Sequence, residues 1–319
     1  MFLESFKITG FAVAQIFLLA AIGFVLVKKN FLPDKGLEVL SQLVIGVTLP
    51  LLIFCQLVQD FRFNLFPNWW IFPLLSILIT ACGVACGLLF LSFIKGGSQN
   101  RLQFLSLVAF QNSGYLPLAL VDALLPGDQA ATMFIYIFLF LLGFNLLMWS
   151  AGVYMLTFSR AKKFEMGSFF SPPVIATLFS LVFIFFGFYK FVPAAAIRPL
   201  RMLGDCTLPL ALMVVGGNLA QISLKRIDKR TLLLALLAKM LILPALGLLI
   251  VFKFRFTELL GLLILIQLAM PPATSSSLII GHYKKDDLCI SQGIFFGHLL
   301  SLVTLPVFLS LYFMLVMIK

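Results

Sequence analysis

Charge is the scarcest commodity in this chain. Only 11% of its 319 residues are charged, against roughly 25% in soluble domains. Hydrophobic residues make up 62%, and mean hydropathy is +1.12. A soluble core of this size cannot absorb so much apolar surface, so the composition excludes a soluble globular domain and specifies a polytopic membrane protein. Acidic residues are scarcest, 12 against 23 basic ones. The net charge of +11 builds no nucleic-acid face, because the basic residues fall in short gaps between apolar spans, which is a topogenic pattern. Histidine is nearly missing: His282 and His298 are the only two. Neither has a carboxylate set around it, and neither H-E-x-x-H nor G-x-S-x-G occurs, which argues against an embedded enzyme. The five cysteines (Cys55, Cys82, Cys86, Cys206, Cys289) lie within or beside apolar spans, with no ligand set to complete a metal site. Cys82 and Cys86 share a helix with Gly83 and Gly87, a small-residue pattern that reads as close helix packing. No cofactor or metal is expected.

Against this apolar background one stretch stands out, Met270-Pro271-Pro272-Ala273-Thr274-Ser275-Ser276-Ser277, inside an apolar segment covering about 259–280. Two prolines in a row remove two backbone N–H groups and clash with the preceding turn, so no continuous helix passes through. Four hydroxyl side chains follow at a depth where lipid can satisfy none. Such a break is tolerated only where protein covers it or where it lines a wet cavity. The first half holds a counterpart, Gln111-Asn112-Ser113-Gly114-Tyr115-Leu116-Pro117. Paired interrupted spans in two halves point to a transporter binding site.

Hydropathy predicts ten spans, at 8–27, 38–58, 69–94, 102–124, 130–158, 172–189, 200–221, 231–252, 259–280 and 289–318, each near the roughly 20 residues a bilayer needs. Loops after the odd-numbered spans hold fourteen Lys and Arg residues, against eight on the other side. The positive-inside rule then places both termini outside the cytoplasm. The first apolar run follows Glu4 and Lys7, is as long as a full span and precedes Lys28-Lys29, so no cleaved signal peptide is expected. Phe31-Leu32-Pro33 before Thr48-Leu49-Pro50 recurs as Phe191-Val192-Pro193 before Thr207-Leu208-Pro209, an internal repeat. Pro126-Gly127-Asp128 similarly matches Lys285-Asp286-Asp287. Five spans per copy is odd, so the copies must be inverted, with substrate between them near the midplane. The expected architecture is an all-α polytopic membrane protein of ten helices in two inverted five-helix repeats, 1–158 and 171–319. A short cytoplasmic linker, 159–170, joins them, and helices 4 and 9 are broken and cross.

Crossing would bring Asn112 and Ser113 close to Thr274, Ser275 and Ser276, with Gly114, Pro117, Pro271 and Pro272 shaping the breaks. Half-helix N-termini attract anions, and a donor-rich pocket without a fixed carboxylate suits a carboxylate substrate. The alternative is that these polar groups merely satisfy each other's freed backbone. Gln111, Asn145, Lys239 and His298 form a second tier. Lys239, mid-helix, either assists the anion or makes a structural tie. Asn145 and His298 read first as interhelical hydrogen bonders, with proton coupling left open for His298. Asp205 lies nearer the outer face. Gly216, Gly217 and Asn218 read as close packing plus a cap, and Trp69, Trp70 and Tyr312 as interface anchors.

The Leu-Pro repeat in helices 2 and 7 and the two crossovers, Asn112 to Pro117 and Met270-Pro271-Pro272, together resemble the auxin efflux carrier family. In size the chain is similar to that family's compact bacterial malonate- and malate-type permeases. The resemblance implies scaffold helices 1, 2, 6 and 7, and a transport core of helices 3–5 and 8–10. It also implies transport of a small mono- or dicarboxylate, with Asn112 and Pro117 in the first crossover and Pro271 in the second. Expected partners are the bilayer, the carboxylate, a coupling proton or sodium ion, and a second copy in a homodimer, in the inner membrane. The alternatives are a sodium-coupled organic-acid symporter of the bile-acid-carrier type and a non-transporting sensor or assembly subunit. Cation/proton antiport is disfavoured, because neither crossover carries Asp or Glu.

Overall fold

The computed structural model describes residues 2–95, 97–157, 170–222, 224, 228–277 and 288–317. Most of the predicted linker lies outside them, as do His282, the Lys285-Asp286-Asp287 loop and several basic loop residues (Arg160, Lys162, Lys163, Lys225, Arg226, Lys284). The described residues are helical and contain no strand. Among the described residues, seven helices are long and apolar enough to cross a membrane: Phe2–Lys28, Asp34–Asp60, Ile71–Phe93, Gly127–Leu156, Ala194–Gln221, Lys229–Phe254 and Cys289–Leu315. The other predicted spans correspond to shorter apolar helices, Tyr115–Leu124, Pro172–Phe185 and Glu258–Ala269. The helix expected at 172–189 stops early because Gly187 takes the left-handed conformation, φ +76°, which ends helices. A 3₁₀ turn, Phe188–Phe191, follows it.

In chain order the elements are α1 (Phe2–Lys28), α2 (Asp34–Leu43), α3 (Leu49–Asp60), α4 (Ile71–Phe90), α5 (Ser98–Ala109), α6 (Tyr115–Leu124), α7 (Gly127–Leu147) and α8 (Val153–Thr157). The second half gives α9 (Pro172–Phe185), α10 (Ala194–Asp205), α11 (Thr207–Gln221), α12 (Lys229–Leu237), α13 (Leu243–Phe254), α14 (Glu258–Ala269) and α15 (Leu288–Met317). Asp228 caps α12, accepting from the N–H groups of Arg230 and Thr231. Its pKa is lowered below the ordinary carboxylate value, chiefly by the Thr231 hydroxyl bond.

Prolines inside long helices account for two of three π-helical turns. A proline removes the bond to the carbonyl four residues back and crowds it. The turn Val44–Thr48 precedes Leu49-Pro50, and Leu49 N–H reaches five residues back to Val44. Likewise Ala238–Ile242 precedes Leu243-Pro244, with Leu243 N–H bonded to Ala238. The third π turn, Met148–Gly152, joins α7 to α8. The repeated motifs begin alike: Pro33 caps α2 at φ −69°, ψ 167°, and Pro193 caps α10 at φ −72°, ψ 147°. They meet their Leu-Pro pairs differently, by a π turn in the first half and by a break at Cys206 in the second.

Packing is closest where side chains vanish. α1 lies in backbone contact with α11: a Cβ on Gly216 would fall 1.7 Å from the Ala20 carbonyl oxygen, and one on Gly23 2.0 Å from that of Met213. Gly83 lets α4 press on the end of α5, where a Cβ would stand 2.8 Å from Ala109 Cα, as the small-residue pattern around Cys82 and Cys86 led us to expect. At one end of the bundle Gln221 Nε2 donates to Asp34 Oδ1 at 2.8 Å. At the other, Arg201 binds Asp205, Gln56 and Gln59 at 2.9, 2.9 and 3.3 Å, so Asp205 is an exposed ion-pair partner. There too the Thr9 hydroxyl of α1 meets the Pro306 carbonyl at 3.2 Å and the Ser310 hydroxyl at 2.9 Å. Tyr312 is buried and donates to the Glu258 carbonyl, which corrects its reading as an interface anchor. Trp70 is half exposed, as an anchor would be.

The α1–α11 contact yields a direct test. Gly216→Ala should lower the melting temperature of the purified protein, by about 1–3 kcal/mol in stability as for an overpacked core. Gly10→Ala, with nothing within 4 Å of the added carbon, should not.

Candidate functional site

Both breaks begin where a helix makes its last bond to the carbonyl four residues back. α5 closes with Phe110 N–H on the Ser106 carbonyl at 3.0 Å, and α14 with Met270 N–H on Ile266 at 3.0 Å. Each chain then extends for a few residues, and helix resumes at Tyr115 in the first break and at Ser275 in the second. The extended stretches run antiparallel, with Gln111 opposite Pro272. Asn112 N–H donates to the Pro271 carbonyl at 2.9 Å, and Ala273 N–H to the Phe110 carbonyl at 3.0 Å. The prolines give no donors, but Pro271 supplies an acceptor. Gly297 of α15 makes room behind them, since a Cβ there would lie 2.5 Å from Pro272.

A third tie comes from Gln267, fully buried on α14. Its amide nitrogen donates to the Ser113 carbonyl at 3.2 Å, and its oxygen accepts from Gln111 Nε2 at 3.5 Å. One side chain thus holds both residues flanking Asn112. The Asn112 N–H and the Phe110 and Ser113 carbonyls of the first break are thus paired by the second break's backbone and by Gln267, and the Asn112 carboxamide takes no part in these bonds. Asn112 Nδ2 is buried and has no hydrogen-bond partner among the described residues.

That carboxamide borders a cavity of about 170 Å³. From the breaks, Gln111, Asn112, Ser113, Gly114, Tyr115, Ala273, Thr274 and Ser275 line it, and Asn145 joins them from α7. Pro117, Pro271, Pro272 and Ser276 do not; the first three shape the crossover and Ser276 is buried beside it. The opposite wall is built by α2, α9, α11 and the turn between α2 and α3, through Ser41, Ile45, Leu49, Ser171, Val214, Val215 and Asn218. Two π turns border the cavity, with Ile45 on one and Met148 and Trp149 on the other. π turns concentrate at functional sites. Among the described residues, no charged side chain lines the cavity.

Two second-tier residues lie elsewhere. Lys239 is buried in the π turn between α12 and α13, where Cys82 and Cys86 are its titratable neighbours; it does not reach the cavity. His298 donates from Nδ1 to the Ile294 carbonyl at 2.8 Å, and its Nε2 is buried without a partner. It too stands away from the cavity wall. Sequence reasoning missed Gln267, Ser41, Tyr115 and Ser171. Gln267 carried a usable signal, as a lone amide in an otherwise apolar half-helix three residues before the break.

Known proteins place these features in context. A profile of the family described as membrane transport protein matches residues 10–168 and 156–309. Protein PIN-LIKES 1 of Arabidopsis thaliana is 24% identical over a 385-position alignment covering 98% of this chain and 80% of that protein. Protein PIN-LIKES 6 of the same plant is 30% identical over 124 residues, 38% of this chain and 29% of that protein. An uncharacterized transporter of Schizosaccharomyces pombe is 28% identical over 110 residues, 34% of this chain. The matched stretches thus span 29% and 24% of the lengths of these last two relatives.

Replacing Gln267 by Leu should strand the Ser113 carbonyl and the Gln111 amide. The expected cost is about 1–3 kcal/mol for buried groups left unpaired, read as a fall in melting temperature. Amide hydrogen exchange in residues 110–116 should quicken in the same variant. Unchanged exchange there would show that Gln267 does not hold the break.

Proposed function

Since the chain belongs to the membrane transport protein family, of auxin efflux carrier type, we propose that it is a secondary transporter of small organic anions, binding them at the crossover of its two broken helices. The observation that carries this reading is the unspent Asn112 carboxamide on a cavity walled by both breaks on one side and by α2, α9 and α11 on the other. An amide N–H is a donor for a carboxylate oxygen, and a polar group at this depth without a structural partner is costly unless a ligand uses it.

The cavity's makeup favours a monocarboxylate over a dicarboxylate. Neutral donors from Asn112, Asn145, Thr274 and Ser275 face apolar walls from Leu49, Phe144, Val214 and Val215. One carboxylate can be solvated by such donors, whereas a second would lose its water with no cation among the described lining residues to offset it.

In the proposed architecture, residues 1–158 and 171–319 are inverted five-helix repeats, and helices 3–5 and 8–10 form the core that moves against helices 1, 2, 6 and 7. The matching proline caps at Pro33 and Pro193 support the pairing of the repeats. The cavity draws part of its lining from Ser171, at the start of α9, and Asn218, in the last turn of α11, while the Thr9–Pro306–Ser310 contacts tie α1 to α15 at the other end. With the basic loops in the cytoplasm and both termini outside, this is an inward-facing state of an alternating-access cycle.

The test is thermal stabilisation of the purified protein by acetate, hexanoate, benzoate and malonate, since a ligand of the folded state raises its melting temperature by mass action. At least one monocarboxylate should stabilise more than malonate, and Asn112→Ala should remove the shift while its own unliganded melting temperature stays near wild type. Counterflow in liposomes then separates a carrier from a protein that only binds. A full shift retained in Asn112→Ala would remove the crossover from the site.

A further inference from the structure

We propose that Asn218 is a second substrate-contacting residue, supplied by the wall opposite the crossover, so that the anion is held between the two walls. This rests on the anion-site reading above.

In sequence Asn218 reads as a cap beside Gly216 and Gly217. The structure gives it a different place. α11 continues to Gln221, and Ile222 is its C-cap, so Asn218 lies inside the helix, where Asn is a poor former that competes with the backbone for hydrogen bonds. Its side chain makes no hydrogen bond among the described residues; it is half-buried and faces the cavity. Around it the wall is mixed, with Ile45, Leu49, Val214 and Val215 apolar and Ser41 and Ser171 bearing hydroxyls. A carboxamide inside a helix with idle donors is free to bond a ligand in the cavity.

Its mounting is rigid. Two residues before it, Gly216 sits in backbone contact with Ala20, and three residues after it, Gln221 is bonded to Asp34 at 2.8 Å. Rigid elements present binding groups more accurately than loops do. From the other side Asn112 and Asn145 border the same cavity. Three asparagine carboxamides from three elements thus border a space that no charged side chain lines among the described residues. Each can donate to a carboxylate oxygen, and such charge-assisted bonds are stronger than neutral ones. Because Asn218 belongs to the proposed scaffold and Asn112 to the proposed moving core, relative motion of the walls would break one set of bonds. Affinity is thereby linked to the state of the gate.

The experiment measures half-saturating concentrations for acetate, hexanoate, benzoate and malonate, by thermal stabilisation, in wild type, Asn112→Ala, Asn218→Asp and Asn218→Leu. Asn218→Asp sets a carboxylate against the anion and should weaken binding of the best ligand by about tenfold or more, the scale of one hydrogen bond to a charged group. Asn218→Leu should weaken it by roughly three- to tenfold. Leu is the better helix former, so its unliganded melting temperature should hold or rise, which separates lost contact from lost structure. If Asn218→Asp does not fold, Asn218→Leu carries the test alone. Wild-type affinity in the folded Asn218 variants, with binding lost in Asn112→Ala, overturns the role of Asn218 and leaves the crossover site standing. No binding of any of the four by wild type, or no loss in Asn112→Ala, overturns the crossover reading and this inference with it.

Discussion

Two backbone hydrogen bonds, Asn112 to Pro271 and Ala273 to Phe110, are the contact on which the rest of this molecule depends. Inside a bilayer no water is on hand to satisfy an interrupted helix, and each unpaired backbone group costs several kcal/mol. Pro271 and Pro272 make the second break unavoidable and also leave it short of donors. Neither break can be completed by its own half. Each supplies what the other lacks, so the two halves must fold onto one another before either is stable in lipid.

The same pairing explains where polar side chains are spent. Gln267 takes the Ser113 carbonyl and the Gln111 amide, leaving Asn112 with its donors free. Had Asn112 been the residue closing the backbone, the crossover itself would have presented to the cavity little besides hydroxyl groups and the Gln111 amide already engaged by Gln267. Close packing elsewhere keeps this arrangement fixed. Gly297 admits Pro272 from behind, and Gly216 and Gly23 seat α11 against α1. Interiors packed this densely transmit displacement and do not absorb it.

Much of this was legible in the sequence, because membrane depth makes a few residue types speak loudly. Consecutive prolines and clustered hydroxyls in an apolar run admit few interpretations, and with the polar run from Gln111 they located both breaks to within a few residues, helix resuming at Tyr115 and Ser275. The repeated Phe-x-Pro and Thr-Leu-Pro signals pointed to the repeat, while hydropathy began the two spans at 38 and 200, later than the starts of α2 at Asp34 and α10 at Ala194. What stayed hidden was tertiary. Whether Lys239 reaches the cavity depends on which face of a π-containing helix it occupies, and hydropathy is blind to that. Tyr312 has the composition of an interface anchor but is buried against Glu258, because the packing of α15 on α14 decides its environment. Asn218 sits so near a glycine pair that a cap was the natural local reading; only the continuation of α11 to Gln221 removes it. The early stop of α9 turned on the backbone sign of one glycine, Gly187.

A cavity whose described lining holds carboxamides and hydroxyls but no cation has a consequence for how an anion would be handled there. A fixed Lys or Arg would bind more tightly, yet in a dry site its own charge would have to be desolvated each time the cavity empties. Neutral donors carry no such penalty, so the empty and loaded forms differ less in energy. Transport depends on that balance: a site must bind well enough to fill and loosely enough to discharge on the far side. Dividing the donors between two walls sharpens the effect, because no single wall holds enough of them to retain the ligand once they part. In this view the scarcity of charge that marks the whole chain is also what lets the crossover, under the proposed reading, let go.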